Sequence, residues 1–223
     1  MYLIDSANVR TIKQLTKTYG LKGVTTNPGL MAKENRTDFF HHLREITDII
    51  HPYTLYVQVN GETTEEMIEE TELYLNHIKP PFSVKIPATS AGFKAMKELR
   101  DKVPITATGI VSFHQGMMAI ESGATALAVY VSRMLASGLA PYELLDSLRL
   151  VSEREERDVL IIAASFKSTD QIRYALEMGA HEVTVAPKML EHMFLNPLTE
   201  QSVKEFSKAF RERYNVPSIK SGN

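Results

Sequence analysis

The chain has 223 residues, 43% of them hydrophobic and 23% charged, which is ordinary globular composition and enough length for one sizeable core. Its formal net charge of -2 provides no broad basic field for nucleic acid or an anionic membrane, and the lack of cysteine excludes disulfides and thiolate chemistry. No apolar run is long enough to span a bilayer, and the N-terminal residues do not follow the pattern of a signal peptide, so we expect a cytoplasmic protein.

Short apolar runs rich in β-forming residues alternate with longer segments of helical period. Several of the runs are apolar nearly throughout, as expected for parallel strands that are covered on both faces. The predicted strands are Tyr2 to Asp5, Gly23 to Asn27, Leu55 to Asn60, Ser83 to Pro87, Ile105 to Thr108, Ala126 to Val131, Val159 to Ser165 and Glu182 to Pro187.

The segments between the strands carry helix start and stop signals. Hydroxyl residues typical of N-caps open three helices, in the runs Thr63-Thr64-Glu65-Glu66, Thr89-Ser90-Ala91-Gly92 and Ser168-Thr169-Asp170, and Gly179 closes the third. A final helix is predicted at about residues 198–214. Eight strand–helix repeats predict an α/β fold, a single (β/α)8 TIM barrel domain over residues 1–223 with this extra C-terminal helix. An open doubly wound sheet is the alternative.

Polar residues stand at the predicted carboxyl ends of seven strands, where a barrel carries its active site. They are Asp5, Asn27 with the preceding Thr25, Gln58, Lys85, Thr108, Tyr130 with the following Arg133, and Ser165 with the following Lys167. Strand eight, which ends Val185-Ala186-Pro187, offers none. Single residues have simpler explanations, since Asp5 could cap the first helix and Arg133 could be a surface charge. Their coincidence at one end of the fold predicts a site.

Lys85 is the most informative of these residues, because it lies in the run Ser83-Val84-Lys85-Ile86-Pro87 among apolar, β-forming neighbours. Burial disfavours the ammonium form and lowers the pKa of a lysine from about 10.4. A neutral amine in a dry pocket is a nucleophile for carbonyl carbon. The alternatives are a lysine that snorkels from a strand end or one that pairs with a carboxylate.

Metal and cofactor motifs are missing from the sequence. The seven histidines are scattered or adjacent rather than spaced as ligands, and no HExxH pattern occurs. Neither a GxGxxG nor a GxxxxGK[ST] run is present. We therefore expect no metal and no cofactor.

Four motifs resemble the small transaldolase family, and specifically its fructose-6-phosphate aldolase branch. They are Leu3-Ile4-Asp5-Ser6-Ala7-Asn8, Gly23-Val24-Thr25-Thr26-Asn27-Pro28, Val84-Lys85-Ile86-Pro87 and Ala163-Ala164-Ser165-Phe166-Lys167. The resemblance covers nearly the whole chain. It implies a metal-independent Schiff-base mechanism on an α/β barrel, with sugar phosphates as substrates.

The resemblance also implies residue roles. Lys85 matches the imine-forming lysine, and Asp5 and Asn27, with Thr25 beside them, match residues that hold the sugar hydroxyls. Thr108 matches a threonine that positions a catalytic water. Arg133 and Ser165 match the phosphate-binding pair, to which Lys167 adds positive charge. Arginine suits this task because its planar fork bonds phosphate oxygens bidentately.

Gln58 and Tyr130 point to the aldolase branch, because transaldolases of the family usually carry glutamate and phenylalanine there. Glutamine can only hold a water by hydrogen bonds, so a tyrosine hydroxyl would supply the acid–base group. We expect cleavage of fructose 6-phosphate to dihydroxyacetone and glyceraldehyde 3-phosphate. The alternative is transaldolase activity in the pentose phosphate pathway, and a third reading is a sugar-phosphate-binding protein without chemistry.

The family likeness further implies a homo-oligomer, a ring pentamer or a decamer, in which the C-terminal helix reaches a neighbouring subunit. The apolar stripe Val203, Phe206 and Phe210 on that helix could serve this contact or could cover its own barrel. The sequence leaves both possibilities open.

Overall fold

A computed structural model describes residues 1–215, and within them eight parallel strands pair in chain order to form a closed barrel. Strand β8 pairs with β1 and closes the ring. The strands are β1 (Tyr2–Asp5), β2 (Gly23–Thr25), β3 (Thr54–Gln58), β4 (Phe82–Pro87), β5 (Ile105–Ile110), β6 (Ala126–Tyr130), β7 (Leu160–Ala164) and β8 (Glu182–Val185). The predicted (β/α)8 barrel is confirmed, and the open-sheet alternative is wrong.

Helices alternate with the strands, and β2, β6 and β8 are each followed by two of them. Within residues 1–215 the helices are α1 (Val9–Thr18), α2 (Pro28–Met31), α3 (Phe39–Ile50), α4 (Thr64–His77), α5 (Ser90–Leu99), α6 (Phe113–Glu121), α7 (Val131–Ala136), α8 (Pro141–Arg154), α9 (Thr169–Glu177), α10 (Pro187–Phe194) and α11 (Pro197–Tyr214). None of these helices is both long and apolar enough to cross a membrane.

The predicted helix caps are confirmed. The Thr63 side chain accepts a hydrogen bond from the Glu66 main chain, and Glu66 bonds back to the Thr63 N–H, which completes a capping box before α4. The Thr89 and Ser168 side chains cap α5 and α9 by accepting hydrogen bonds from the main-chain N–H groups of Gly92 and Gln171. Gly179 follows α9 at φ 96°, a conformation that glycine adopts without a Cβ clash.

Several predicted strands extend past the observed carboxyl ends. Strand β2 ends at Thr25 rather than Asn27, and β8 ends at Val185 rather than Pro187. The main chain is still hydrogen-bonded after β2, because the Thr26 N–H donates to the Tyr56 carbonyl at 2.9 Å, but it already turns toward the next helix. The sequence pattern does not mark the residue at which the main chain turns, so periodicity alone predicts strands that are too long.

The core surrounds the barrel wall on both sides. Inside the barrel, Leu3, Tyr56, Ala126 and Ile162 form a buried cluster with Leu160 packed against it. Outside, helix α5 lies so close to the end of β4 that a Cβ on Gly92 would clash with the Pro87 carbonyl oxygen. Only glycine allows this close approach, by which α5 packs against the strand that carries Lys85.

The chain divides into two compact units, of which the first, Met1–Leu190, holds the barrel. The second begins at Glu191 and is described to Asn215. Its helix α11 begins after the N-cap Asn196 and agrees with the predicted C-terminal helix. No residue of α11 is buried, and in its predicted apolar stripe Val203 is 57% and Phe206 72% exposed.

Candidate active site

The carboxyl ends of the barrel strands surround a cavity of about 130 Å³. Most of the predicted site residues meet there, together with side chains from deeper in the strands. The lining consists of Asp5, Thr25, Asn27, Tyr56, Lys85, Thr106, Ala128, Tyr130, Arg133, Ile162, Ala164, Ser165 and Thr184.

Lys85 lies in this cavity with 6% of its surface exposed. Its Nζ atom donates a 2.7 Å hydrogen bond to the main-chain carbonyl of Thr26. Burial lowers the pKa of Lys85 to about 8, although the negative charge of Asp5 opposes this shift. A substantial share of the amine is therefore neutral near physiological pH, which is the form that attacks a carbonyl carbon.

Asp5 lies in the cavity wall and does not cap the first helix. That cap is Asn8, whose side chain accepts a 3.0 Å hydrogen bond from the Thr11 N–H. Burial raises the pKa of Asp5, and the charge of Lys85 and a hydrogen bond from Thr25 oppose the rise. Asp5 and Lys85 thus each weaken the shift that burial imposes on the other.

A chain of hydroxyl groups reaches Asp5 from strand β8. The Thr25 Oγ1 atom donates to Asp5 Oδ1 at 2.8 Å and lies 2.6 Å from the Thr184 Oγ1 atom. A hydroxyl has one proton, so when Thr25 donates to Asp5 the Thr184 hydroxyl must donate to Thr25. Both threonines are buried.

The prediction that strand eight contributes no polar residue is therefore wrong. The sequence interpretation used the last residues before Pro187, but β8 ends two residues earlier, at Val185. Side chains alternate along a strand, which turns Thr184 inward. Tyr56 and Thr106 were not predicted, because the prediction covered only the last residues of each strand. Tyr56 lies two residues before Gln58, and Thr106 lies two residues before Thr108. Each side chain therefore faces the same side of its strand as the predicted residue.

Tyr130 joins two other predicted residues at the end of β6. Its hydroxyl lies 3.1 Å from the Thr108 Oγ1 atom, and the Arg133 guanidinium lies 4.9 Å from the centre of its ring. Such cation–π contact orients both groups. Arg133 is exposed at the cavity mouth, whereas Thr108 is buried and reaches the cavity lining only through this hydroxyl pair.

Asn27 and Ser165 line the cavity from the turns that follow β2 and β7. The Asn27 Oδ1 atom accepts from the Leu30 N–H at 3.0 Å and caps α2, which leaves its NH₂ group as a donor. Ser165 has φ 65°, unusual for a residue other than glycine, and its carbonyl accepts from the Ser132 N–H at 2.8 Å. A strained backbone of this kind is common at functional sites.

Gln58 and Lys167 are not in the cavity lining. Gln58 is paired in register with Lys85, and the residue borders a separate depression beside Met31, Phe39 and Tyr74, where its main-chain carbonyl accepts a 3.1 Å hydrogen bond from the Tyr74 hydroxyl. Its Oε1 atom is buried and has no hydrogen-bond partner within residues 1–215. Lys167 is exposed, and its main-chain N–H donates to Gln171 Oε1 at 2.7 Å.

A second interior carboxyl, Glu182, lies at the start of β8 with 6% of its surface exposed. Burial raises the pKa of Glu182, while the N-terminal ammonium, Lys22 and a hydrogen bond with Tyr56 oppose the rise. Burial and this carboxylate raise the pKa of Tyr56 in turn. The Glu182 Oε2 atom is buried and has no hydrogen-bond partner within residues 1–215.

Comparison with known proteins gives one consistent family. A family model described as Transaldolase/Fructose-6-phosphate aldolase matches residues 2–220. A probable fructose-6-phosphate aldolase from Streptococcus pneumoniae is 32% identical over 208 residues, which are 92% of this chain and 94% of that protein. A probable transaldolase from a Geobacillus species is 36% identical over 206 residues, 92% of this chain and 95% of its own.

Solved structures match in fold alone. A structure of mandelate oxidase aligns with a TM-score of 0.58 at 12% identity over 83% of this chain. The chain spans 64% of the length of that protein, which is less than two thirds. At this identity the match supports the barrel architecture and carries no argument about chemistry.

Proposed function

The chain belongs to the transaldolase/fructose-6-phosphate aldolase family, an enzyme family, and we propose that it is a Schiff-base aldolase that cleaves fructose 6-phosphate to dihydroxyacetone and glyceraldehyde 3-phosphate. The observation that carries this proposal is the buried Lys85 amine, whose pKa is lowered to about 8 inside a cavity lined by hydroxyl, amide and guanidinium groups. The reverse reaction is aldol addition of dihydroxyacetone to an aldehyde.

In the first step, the neutral Lys85 amine adds to the C2 carbonyl carbon of the open-chain ketose. The hydroxyl of the resulting carbinolamine takes up a proton and leaves as water, and an iminium forms with its positive charge on the nitrogen. The iminium is an electron sink two bonds from the C3–C4 bond. A lysine with a lowered pKa suits this step, because a larger fraction of its amine is neutral at pH 7 than in an ordinary lysine.

In the second step, a base takes the proton of the C4 hydroxyl and the C3–C4 bond breaks. The O–H electrons form the aldehyde of glyceraldehyde 3-phosphate, and the C3–C4 electrons form a C2=C3 enamine on Lys85. We assign Asp5 and the Asn27 NH₂ group to the sugar hydroxyls beside the broken bond, since both line the cavity with Lys85.

In the third step, the enamine carbon C3 is protonated and the resulting iminium is hydrolysed to dihydroxyacetone and free Lys85. Tyr130 is the proposed acid–base group, because its hydroxyl lines the cavity and is hydrogen-bonded to Thr108. We propose that Thr108 and Gln58 hold the water that shares this proton. Gln58 offers the unpartnered Oε1 atom for it.

The phosphate group is assigned to the mouth of the cavity. Arg133 is exposed there and can present its planar fork to phosphate oxygens, with the Ser165 hydroxyl beside it in the lining. Lys167, which is exposed two residues further along, would add charge without direct contact. This places the phosphate at the open end and the ketone at the amine.

Borohydride trapping tests the proposal. Incubation with fructose 6-phosphate and borohydride should reduce the iminium and leave a sugar adduct on Lys85, which intact-mass analysis and peptide mapping detect. Lys85→Ala should form no adduct and lose turnover while its circular dichroism spectrum is unchanged. If the wild-type protein gains no adduct, or if Lys85→Ala keeps its turnover, the mechanism is wrong.

Transaldolase activity is the second candidate, and it is favoured by the 36% identity to a relative named probable transaldolase. The two reactions share every step up to the enamine, which in a transaldolase is captured by an acceptor aldose phosphate. Assays with fructose 6-phosphate, with and without erythrose 4-phosphate, separate them. An aldolase releases free dihydroxyacetone in both, whereas a transaldolase forms sedoheptulose 7-phosphate only when the acceptor is present.

Assembly and location stay predictions. We propose a cytoplasmic homo-oligomer, a ring pentamer or decamer, that acts in carbohydrate metabolism beside the pentose phosphate pathway. Light scattering on the purified protein measures the oligomeric state directly.

A further inference from the structure

The deep end of the cavity has a polar atom that the mechanism does not use, the Thr106 hydroxyl. Thr106 is 1% exposed, lines the cavity and is paired in register with Lys85 on the neighbouring strand. Thr108 lies two residues further along β5 and bonds to Tyr130 nearer the mouth. Thr106 therefore belongs to the layer below the acid–base group.

The direction of the Thr106 hydrogen bond follows from its neighbours. The Ser83 Oγ atom lies 3.1 Å from the Pro104 carbonyl oxygen and 2.7 Å from the Thr106 Oγ1 atom. A carbonyl can only accept, so the single Ser83 proton goes to Pro104. Thr106 must then donate its proton to Ser83, and this arrangement forms two hydrogen bonds where the reverse forms one.

The consequence is that Thr106 presents an acceptor to the cavity. The Thr106 hydroxyl donates its proton to Ser83, and within residues 1–215 its oxygen accepts no hydrogen bond. The lone pairs of this oxygen are therefore available to a substrate. The neighbouring floor residues Ala128 and Ile162 are apolar. The Thr184 hydroxyl is committed as well, because it donates to Thr25.

We propose that Thr106 selects donor ketones that carry a hydroxyl on the carbon remote from the bond that is made or broken. The proposal rests on the proposed function and deepens it. With the phosphate at Arg133 and C2 on Lys85, the C1 group of the substrate extends away from the mouth toward Thr106. A C1 hydroxyl donates to this oxygen, whereas the methyl group of hydroxyacetone cannot. The enzyme therefore prefers dihydroxyacetone to hydroxyacetone as donor.

The test measures kcat/KM for both donors in aldol addition to glyceraldehyde 3-phosphate and takes the ratio of dihydroxyacetone to hydroxyacetone for each variant. Thr106→Val keeps the shape of the side chain and removes the acceptor, so the ratio should fall about tenfold, as expected for the loss of one hydrogen bond. Thr106→Ser retains the oxygen and should restore most of the ratio.

Ser83→Ala tests the direction of the bond. It frees the Thr106 proton, so the oxygen is no longer held as an acceptor and the ratio should fall between those of the wild type and Thr106→Val. An unchanged ratio in Thr106→Val overturns the proposal. An unchanged ratio in Ser83→Ala overturns the role of Ser83 in orienting the hydroxyl.

Borohydride trapping with each donor separates this inference from the proposed function. If neither donor forms an adduct on wild-type Lys85, the Schiff-base function itself fails. If both donors form adducts in the wild type and in Thr106→Val but the ratio of kcat/KM does not change, the function stands and the role of Thr106 is wrong.

Discussion

The Nζ atom of Lys85 donates its 2.7 Å hydrogen bond to the main-chain carbonyl of Thr26, a neutral partner. A carbonyl accepts from an amine as well as from an ammonium, so the contact positions the nitrogen in both protonation states. A carboxylate in the same place would hold the positive charge and suppress the nucleophile. The turn after β2 thus orients the amine, and burial favours its neutral form.

The reaction should depend on pH through Lys85. Because its pKa is about 8 and only the neutral amine attacks, kcat/KM should fall about tenfold for each pH unit below that value. The negative charge of Asp5 raises the pKa of Lys85. In Asp5→Asn, the ascending limb of the plot of kcat/KM against pH should therefore shift to lower pH. The rate of borohydride trapping with dihydroxyacetone, measured against pH, reports this limb even if turnover is lost. A limb that stays in place would show that Asp5 does not act on the amine.

Lys85 should reduce the stability of the fold. Its pKa of about 8 lies below the unfolded value of about 10.4, so the destabilisation grows as pH falls between these values and is constant below them. Lys85→Met removes the buried amine and should increase the free energy of unfolding at pH 7 by about 1 to 3 kcal/mol. Thermal unfolding at pH 7 and at pH 10 measures both effects. The increase in the free energy of unfolding should be smaller at pH 10. An equal increase at both pH values would contradict the lowered pKa of Lys85.

Thr184 should act on Asp5 through Thr25. We expect Thr184→Val to lower kcat about threefold to tenfold, because Thr25 loses the donor that holds its own proton toward Asp5. Thr184→Ser should restore the rate. A double-mutant cycle tests this coupling by steady-state kinetics of Thr25→Val, Thr184→Val and the variant that carries both. The double variant should be no slower than Thr25→Val alone. Additive losses would mean that the two hydroxyls act independently.

Arg133 should discriminate phosphorylated substrates. In Arg133→Lys the planar fork is lost, so kcat/KM for fructose 6-phosphate should fall about tenfold to a hundredfold, the scale of charge-assisted hydrogen bonds. Cleavage of unphosphorylated fructose should change much less, and the ratio of the two substrates is the measurement. Lys167→Ala is the matched control, because Lys167 is exposed and is not in the cavity lining. An equal loss for both substrates in Arg133→Lys would place Arg133 in orienting Tyr130 instead.

Gln58 should influence the fate of the enamine. Gln58→Glu introduces an ionisable group, so transfer to erythrose 4-phosphate should rise relative to release of dihydroxyacetone, by about tenfold for a change of about 1.4 kcal/mol in the competing barriers. Simultaneous quantification of sedoheptulose 7-phosphate and dihydroxyacetone gives the ratio. Gln58→Asn keeps the amide, so it should not raise the ratio of sedoheptulose 7-phosphate to dihydroxyacetone. An unchanged ratio in Gln58→Glu would mean that another residue decides between the two activities.

Local signals predicted much of the fold. Strand–helix alternation predicted the barrel, and hydroxyl residues predicted the starts of α4, α5 and α9, because caps and amphipathic periods act between residues a few positions apart. The lowered pKa of Lys85 was also predictable, since its apolar strand neighbours already implied burial. The family motifs added the position of the site at the strand ends.

The sequence by itself thus determined the architecture, the family and the buried position of Lys85. Only the tertiary structure decided how protons are shared around that lysine. Thr184 reaches Asp5 through Thr25, and Thr106 faces the cavity as an acceptor, because residues far apart in the chain lie within 3 Å of each other. Hydrogen-bond direction depends on every partner around an oxygen, and no periodicity or local propensity encodes partners that the closed barrel brings together.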